Sequence, residues 1–223
     1  MGDCGPVVAA TIGLIGIGLA LASPQFSSTF DLTYLSPAPG APSGQVPLMT
    51  WTDPGAPNAV PKIIKRIKLT FHKGTSFDTR ALGRCHASDA RILSTGGSAC
   101  PKASRLGSGH TTGVFSNGSE FVTDVKLFNA RGEIIVVVTL NGTPVTEFRD
   151  EVSGRTITIE PVLPAGVALK RLKLRIGRHS KDGRTYMRNP SSCPRSGKWT
   201  TVAKFTYADG SRETHRDSSP CRR

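Results

Sequence analysis

The sequence predicts an all-β fold: an antiparallel β-sandwich, immunoglobulin-like or jelly-roll-like, with about nine strands and two disulfides. After residue 22 the chain has no helical periodicity and consists of runs rich in Val, Ile, Thr and Phe, separated by Gly, Pro and Asn. Asn117-Gly118 and Asn141-Gly142 each stand between two such runs, as in hairpins whose turns need positive φ angles. Four cysteines follow residue 22, an even number that favours two bridges in an exported chain.

Residues 1–22 are predicted to be a signal peptide or an N-terminal anchor. Residues 6–21 are apolar and uncharged, which is the length of a signal-peptide segment and short for a membrane span. Ala20-Leu21-Ala22 supplies a cleavage pattern, whereas the first five residues carry Asp3 and no Lys or Arg, where a signal peptide carries positive charge. The protein is therefore expected to be secreted or held in the cell envelope, outside the cytoplasm.

The next segment, 23–61, is predicted to be irregular because 36–61 is rich in Pro and Gly, with a short edge strand around Val46–Trp51. The β-sandwich domain is predicted to span 62–223. Its expected strands cover 62–72, 111–116, 119–129, 133–140, 143–148, 155–160, 167–176, 198–208 and 211–217.

Within that domain, residues 134–138 read Ile-Ile-Val-Val-Val, which predicts a central strand covered on both faces. Residues 88–91 are compatible with one helical turn. Trp199, Phe205 and Tyr207 share one face of the strand 198–208, and we interpret them as a core anchor rather than a ligand platform.

Cys85, Cys100, Cys193 and Cys221 are predicted to form the two disulfides. Of three possible pairings, Cys85–Cys100 with Cys193–Cys221 orders the least chain, and each bridge would add about 3–4 kcal/mol of stability. A zinc site is disfavoured because Cys85 and Cys100 lack a second close pair of ligands, and a catalytic thiol is disfavoured in an oxidising compartment. No metal and no cofactor are expected.

The sequence contains no recognised catalytic pattern, and no catalytic residue is predicted. Neither a G-x-S-x-G elbow nor an H-E-x-x-H motif is present, and the five histidines are scattered. Asp150 and Glu151 are adjacent, so they should point to opposite faces of a strand. The predicted function is that of an exported, non-enzymatic cell-envelope or surface protein, structural or adhesive. The alternative is a secreted hydrolase acting on cell-wall polysaccharide or peptide, which would need two carboxylates about 5–10 Å apart in a pocket.

The chain is strongly basic, with a formal net charge of +13, which favours anionic partners. Basic residues alternate with aliphatic ones on two predicted strands, so period two sends the cations outward. If the strands adjoin, they would form a docking face for anionic envelope polymers or lipid headgroups; protection of sheet edges is the alternative. Specific nucleic-acid binding is not expected, because no aromatic residue interrupts the outward positions. The predicted polyanion-binding residues are Arg66, Lys68, Arg171, Lys173 and Arg175.

Two motifs carry a resemblance to a known group of proteins. Cys85 is followed after fourteen residues by Cys100, which begins the pattern C-P-x-x-S-x-L-G-x-G. Residues 193–221 then read C-P-x-x-G-K-W, F-x-Y-x-D-G-S and a final Cys. Residues 85–221 therefore resemble secreted actinobacterial β-domain proteins with no assigned activity. The resemblance implies an exported, disulfide-bonded β domain and supplies no catalytic residues.

Overall fold

The computed structural model describes residues 1–2 and 25–222 of the chain. Apart from residues 1–2, the predicted signal peptide lies outside the described residues. Strands make up 53% of the structure and helices 8%, and the strands pair antiparallel. The predicted all-β class is confirmed.

Sixteen strands and one α-helix are present in the described ranges. The strands are β1 (Ser27–Tyr34), β2 (Pro42–Ser43), β3 (Gln45–Thr52), β4 (Ile64–Thr70), β5 (Ser76–Phe77), β6 (Arg105–Phe115), β7 (Glu120–Asn129), β8 (Glu133–Leu140), β9 (Thr143–Ser153), β10 (Thr156–Ile159), β11 (Val167–Ile176), β12 (Ser180–Lys181), β13 (Arg184–Thr185), β14 (Met187–Arg188), β15 (Lys198–Tyr207) and β16 (Arg212–Pro220). The helix is α1 (Asp89–Thr95), and three 3₁₀ turns cover Pro57–Ala59, Gly96–Ala99 and Lys102–Ser104.

Eleven strands form one antiparallel sheet in the order β1-β3-β11-β6-β7-β8-β9-β10-β4-β15-β16. The first and last strands of this order approach each other, so the sheet curves into a nearly closed structure, here called the barrel. The strand count is higher than the nine expected. Strands that a sandwich would divide between two layers are hydrogen-bonded around a single curved sheet, whose opposite walls enclose the core.

The barrel is closed between β1 and β16 by side chains rather than by a ladder. The Leu32 N–H donates to Asp217 Oδ2 at 2.6 Å, and Ser219 Oγ donates to the Leu32 carbonyl at 2.6 Å. Farther along, Ser28 Oγ donates to Glu213 Oε2 at 2.5 Å. The two bonds at Leu32 satisfy main-chain groups of β1 that would otherwise remain unpaired at a sheet edge.

The segment 23–61, expected to be irregular with a short edge strand around Val46–Trp51, contributes two full strands to the barrel, β1 and β3. The expected strand is present as β3, but it lies between β1 and β11 rather than at an edge. In β1, Phe30 and Leu32 enter the core, and in β3, Met49 and Trp51 are completely buried. The Pro and Gly residues of this segment lie mostly in the connections between strands. The average composition of the segment therefore hides the two-residue alternation within the strands themselves. Pro47 lies inside β3, where the ladder to β11 is interrupted, in keeping with its missing N–H.

The core is rich in aromatic side chains. Trp199, Phe205 and Tyr207 are at most 1% exposed, as the predicted core anchor requires. The Phe205 ring centroid lies 5.4 Å from that of Trp51, and the Trp199 centroid lies 5.5 Å from that of Tyr34. These contacts join β15 to β1 and β3 and so hold opposite sides of the β1–β16 closure together.

The apolar strand β8 is covered on both faces, as predicted. Ile134 and Val136 point into the barrel, whereas Ile135 and Val137 belong to a separate cluster outside it. That outer cluster is covered by the loop 85–100, whose helix α1 buries Ile92. Ser88 caps the helix by accepting the Arg91 N–H.

The two Asn-Gly turns differ in backbone conformation. Asn141 and Gly142 have φ angles of 51° and 82°, the positive values predicted for this turn and typical of a type I′ turn. At the other turn Gly118 has a φ of 85°, but Asn117 is not in the left-handed region. The Gly118 N–H donates to the Phe115 carbonyl, so this hairpin is closed by a longer turn in which the glycine alone takes the left-handed conformation.

The two ends of the barrel are built differently. The hairpin turns 116–119 and 141–142 lie at one end of the barrel. The loop 160–166 lies at the same end, because it leads into β11 at Val167, which pairs with Phe115 beside the first turn. The other end carries a three-stranded sheet in the order β2-β14-β5. Phe77 of this small sheet contacts Phe71 and Tyr186, with ring centroids 5.0 and 6.1 Å away. This end is therefore filled by side chains.

Candidate functional site

An apolar cavity of about 260 Å³ lies inside the barrel, at the end formed by the hairpin turns and the loop 160–166. Its lining comes from seven strands of the main sheet and from that loop. The lining residues are Ile67, Thr111, Gly113, Phe115, Phe121, Thr123, Val125, Val136, Val138, Leu140, Val145, Thr146, Phe148, Asp150, Ile159, Pro161, Val162, Leu163, Pro164, Ala165, Val167, Leu169, Leu172 and Leu174.

One wall of the cavity, formed by β6 and β7, combines small and aromatic side chains. Strand β6 faces the interior with Thr111 and Gly113, opposite Thr123 and Phe121 of β7. A Cβ at position 113 would lie 2.4 Å from the Phe121 ring, so glycine lets this ring lie across β6. Thr111 and Thr123 hydrogen-bond each other at 2.6 Å, which satisfies both hydroxyls within the wall.

The mouth of the cavity is rimmed by exposed apolar side chains. Phe115, Val145 and Val162 are 43%, 46% and 57% exposed, and all three also line the cavity. Thr146 Oγ1 donates to the Val162 carbonyl at 3.3 Å and ties the loop 160–166 to β9. Large exposed apolar residues that cluster at an opening mark a binding site more often than an ordinary surface.

Asp150 is the single charged residue among the described residues that line the cavity. It is 5% exposed, and its Oδ1 atom is buried with no hydrogen-bond partner in the described part of the chain. Burial raises the pKa of Asp150 well above its usual value. The buried Tyr186 hydroxyl also lacks a partner there, and burial together with the charge of Asp150 raises the Tyr186 pKa. Asp150 is thus a buried carboxyl kept among apolar side chains without a compensating contact.

The sequence pattern contains the signal for this residue, although sequence reasoning did not identify it as a site. Phe148, Asp150 and Val152 occupy alternate positions of β9, so the acid takes the place of an inward apolar residue. Asp150 points into the barrel and Glu151 is exposed, as their adjacency predicts. The alternation could therefore have marked Asp150 as an inward carboxyl.

Both predicted disulfides are present, Cys85–Cys100 and Cys193–Cys221. The first closes the loop that covers the outer face of β8. The second joins the end of β16 to the segment that leads into β15. Neither bridge lies at the cavity.

The predicted polyanion-binding residues are all exposed, but the structure does not bring them together. Arg66 and Lys68 lie on β4, whereas Arg171, Lys173 and Arg175 lie on β11. Five strands of the main sheet separate β4 from β11 in one direction around the barrel. The two sets therefore face opposite sides, and Arg66 also pairs with Glu160 at 2.5 Å.

Sequence reasoning did not identify the cations beside Lys68, because strand pairing determines which residues lie next to it. Lys204 of β15 lies directly opposite Lys68, and Arg216 and Arg212 of β16 lie on the same outer face. None of the ion pairs within residues 25–222 involves these four cations. We call Lys68, Lys204, Arg212 and Arg216 the β15 cationic face.

No group of three or more His, Cys, Asp or Glu side chains in the described ranges is placed to hold a metal ion. The helices found in these ranges are all too short or too polar to cross a membrane. Comparison of the chain with protein-family models, curated proteins and solved structures gives no match. Fold and cavity together define an all-β, disulfide-bonded protein with an internal apolar site.

Proposed function

We propose that this protein is an exported, non-enzymatic protein of the cell envelope that binds an apolar or amphiphilic small molecule inside the barrel. The cavity is the observation that carries the proposal. It is lined almost wholly by hydrophobic side chains, and preformed apolar cavities take up apolar molecules. Its volume exceeds the roughly 150 Å³ of an engineered cavity that holds benzene.

The two disulfides suggest an oxidising, extracytoplasmic environment for the folded protein. Together with the apolar segment 6–21 they support export. A protein in the envelope meets lipids and other amphiphiles, which are the kind of molecule that the cavity would hold.

A binding role is favoured over hydrolysis by the composition of the cavity. A hydrolase acting through paired carboxylates needs two of them about 5–10 Å apart. Among the described lining residues Asp150 is the one carboxyl, and Glu151 points outward from the same strand. The cavity therefore offers no such pair for the alternative function.

The cavity can be tested by filling it. Val136 lies on β8, 4% exposed, in the cavity wall. We expect Val136→Trp to weaken binding of the fluorescent apolar probe phenylnaphthylamine on the order of ten-fold or more, because the indole and the probe compete for one volume. Binding is measured by fluorescence titration of the disulfide-bonded protein.

Val122→Trp is the matched control, because Val122 is 60% exposed on the outer face of β7. This variant should bind the probe as the wild type does. Unchanged binding in Val136→Trp, with its fold retained by circular dichroism, would refute a ligand site in the barrel.

A second candidate function is docking on anionic surfaces, and we infer it from the β15 cationic face. Lys68 and Lys204 lie directly opposite each other, an arrangement that destabilises a sheet unless something compensates the charges. An anionic polymer or lipid headgroup bound across both strands would do so. Protection against edge-to-edge aggregation explains Lys68 and Lys204 less well, because β4 and β15 are interior strands of the sheet.

The test compares two triple variants. The first carries Lys68→Gln, Lys204→Gln and Arg216→Gln, and the second carries Arg171→Gln, Lys173→Gln and Arg175→Gln. We expect the first to bind phosphatidylglycerol liposomes several-fold more weakly at low salt and to lose part of the wild-type salt dependence. The second removes cations from the opposite side and should have the smaller effect. Binding that ignores salt, or is equal in all three proteins, contradicts docking.

A further inference from the structure

The floor of the cavity determines which ligand the barrel can accept, provided that the proposed binding function holds. Asp150 is the charged group there, and its buried Oδ1 has no partner among the described residues. The β8 residue opposite it in register is Ile134, which offers no hydrogen bond. A buried polar atom without a partner is destabilising, and a ligand atom that hydrogen-bonds it would offset that cost.

Asp150 lies far from the mouth. Five residue positions of β9 separate it from Val145 at the rim, which corresponds to about 15 Å of extended strand. The wall between them is apolar. A ligand with a polar group at one end and a hydrocarbon chain at the other would thus place its head against Asp150 and its tail toward the mouth.

Three classes of head group have to be compared. An anionic head would face a carboxyl in a cavity whose described lining contains no Lys, Arg or His. A cationic head would form an ion pair with Asp150, but desolvation of the two charges opposes their attraction. An uncharged hydroxyl or carbonyl head can bind Asp150 while both groups are neutral. A protonated carboxyl can donate a hydrogen bond to such a head and can also accept one.

We propose that the ligand of this barrel is an uncharged amphiphile whose hydroxyl or carbonyl oxygen accepts the Asp150 O–H, with its chain toward Val145 and Val162. A hydroxyl head would also donate to the free Oδ1 and so satisfy both functions of the carboxyl. The raised Asp150 pKa fits this arrangement, because it favours the protonated acid.

Ionisation of Asp150 should therefore oppose binding. Few titratable groups near Asp150 could change this pH dependence. The titratable side chain that interacts with Asp150 is Tyr186, and its own pKa is raised by burial and by the charge of Asp150. Charged residues of the strands around the cavity, such as Glu147 and Arg149 on β9, are not among its described lining residues.

The experiment measures displacement of phenylnaphthylamine by decane, decanol, decylamine and decanoic acid, which share one chain length. The ratio of decanol to decane affinity should fall on the order of ten-fold in Asp150→Leu relative to wild type. Asp150→Asn should keep the ratio, because an amide still donates and accepts. Decanol affinity should fall with rising pH in the wild type and stay constant in Asp150→Asn.

The possible outcomes separate this inference from the proposed function. An equal decanol-to-decane ratio in all three proteins shows that the head group is not recognised and overturns the inference alone. Decylamine that binds more tightly than decanol, and more tightly still at higher pH, replaces it with a cationic ligand class. Failure of the probe and of all four compounds to bind the wild type refutes the ligand site itself.

Discussion

Replacement of both Cys193 and Cys221 with alanine should lower the free energy of unfolding by about 3.5 kcal/mol. The bridge closes a loop of 28 residues, and removing it returns that loop's conformational entropy to the unfolded chain. The bridge also holds the end of β16, where the Cys221 N–H donates to the Gly197 carbonyl and the Arg222 N–H to the Pro37 carbonyl. Urea denaturation of the oxidised variant and the wild type measures the difference.

The second bridge provides a matched control. Replacement of Cys85 and Cys100 opens a loop of 15 residues and should cost a similar amount, about 3 kcal/mol. That loop lies outside the barrel, so its loss should leave the β1–β16 closure intact. Hydrogen exchange of the Leu32 amide, which is bonded to Asp217, should accelerate in the first variant and not in the second. Equal protection of Leu32 in both variants would show that the Cys193–Cys221 bridge does not support the closure.

Substitution Asp150→Leu should raise the free energy of unfolding at neutral pH by about 1–3 kcal/mol. It removes a buried carboxyl whose Oδ1 has no partner, and leucine has a neighbouring cavity to occupy. Most substitutions at buried positions destabilise, so a gain here is diagnostic of an unsatisfied group. Glu151→Gln, an exposed carboxyl on the same strand, is the control and should change stability by less than about 0.5 kcal/mol.

The gain should depend on pH, with a sign set by the raised pKa. Well below pH 4, Asp150 is protonated in both the folded and the unfolded chain, and its titration contributes nothing. At higher pH the unfolded chain releases this proton while the folded protein retains it, so the wild type loses stability as pH rises toward the folded-state pKa. Asp150→Leu and Asp150→Asn lack this titration, so their advantage over wild type grows with pH. A difference that stays constant from pH 4 to pH 8 would contradict a raised Asp150 pKa.

The class of fold could be predicted from the sequence because its signals are local. The period-two alternation of residues 64–70 and 167–176 places each side chain on one face of its own strand, and the structure confirms both strands. Asn141-Gly142 determines a tight turn through backbone preferences of two adjacent residues. The 15- and 28-residue cysteine separations favour local pairing through chain entropy, which holds in any fold that permits it.

The tertiary structure alone decided which strands are neighbours. Alternation tells which face Lys68 occupies, but Lys204 lies 136 positions farther along the chain and becomes its direct partner through the β4–β15 register. For the same reason the cations of β4 and β11 lie on opposite sides of the barrel. Two-residue periodicity describes a single strand, whereas the residues of a charged surface come from several strands.

The cavity was also decided by the tertiary structure. It is the difference between the volume that the curved sheet encloses and the volume of the inward side chains, and those side chains come from positions between 67 and 174. No local segment contains that difference. The sequence by itself determined only that Asp150 and Glu151 point to opposite faces of their strand. The closure of the sheet decided that Asp150 points inward and faces an apolar space with no partner, because hydrogen-bond satisfaction depends on atoms brought together from distant strands.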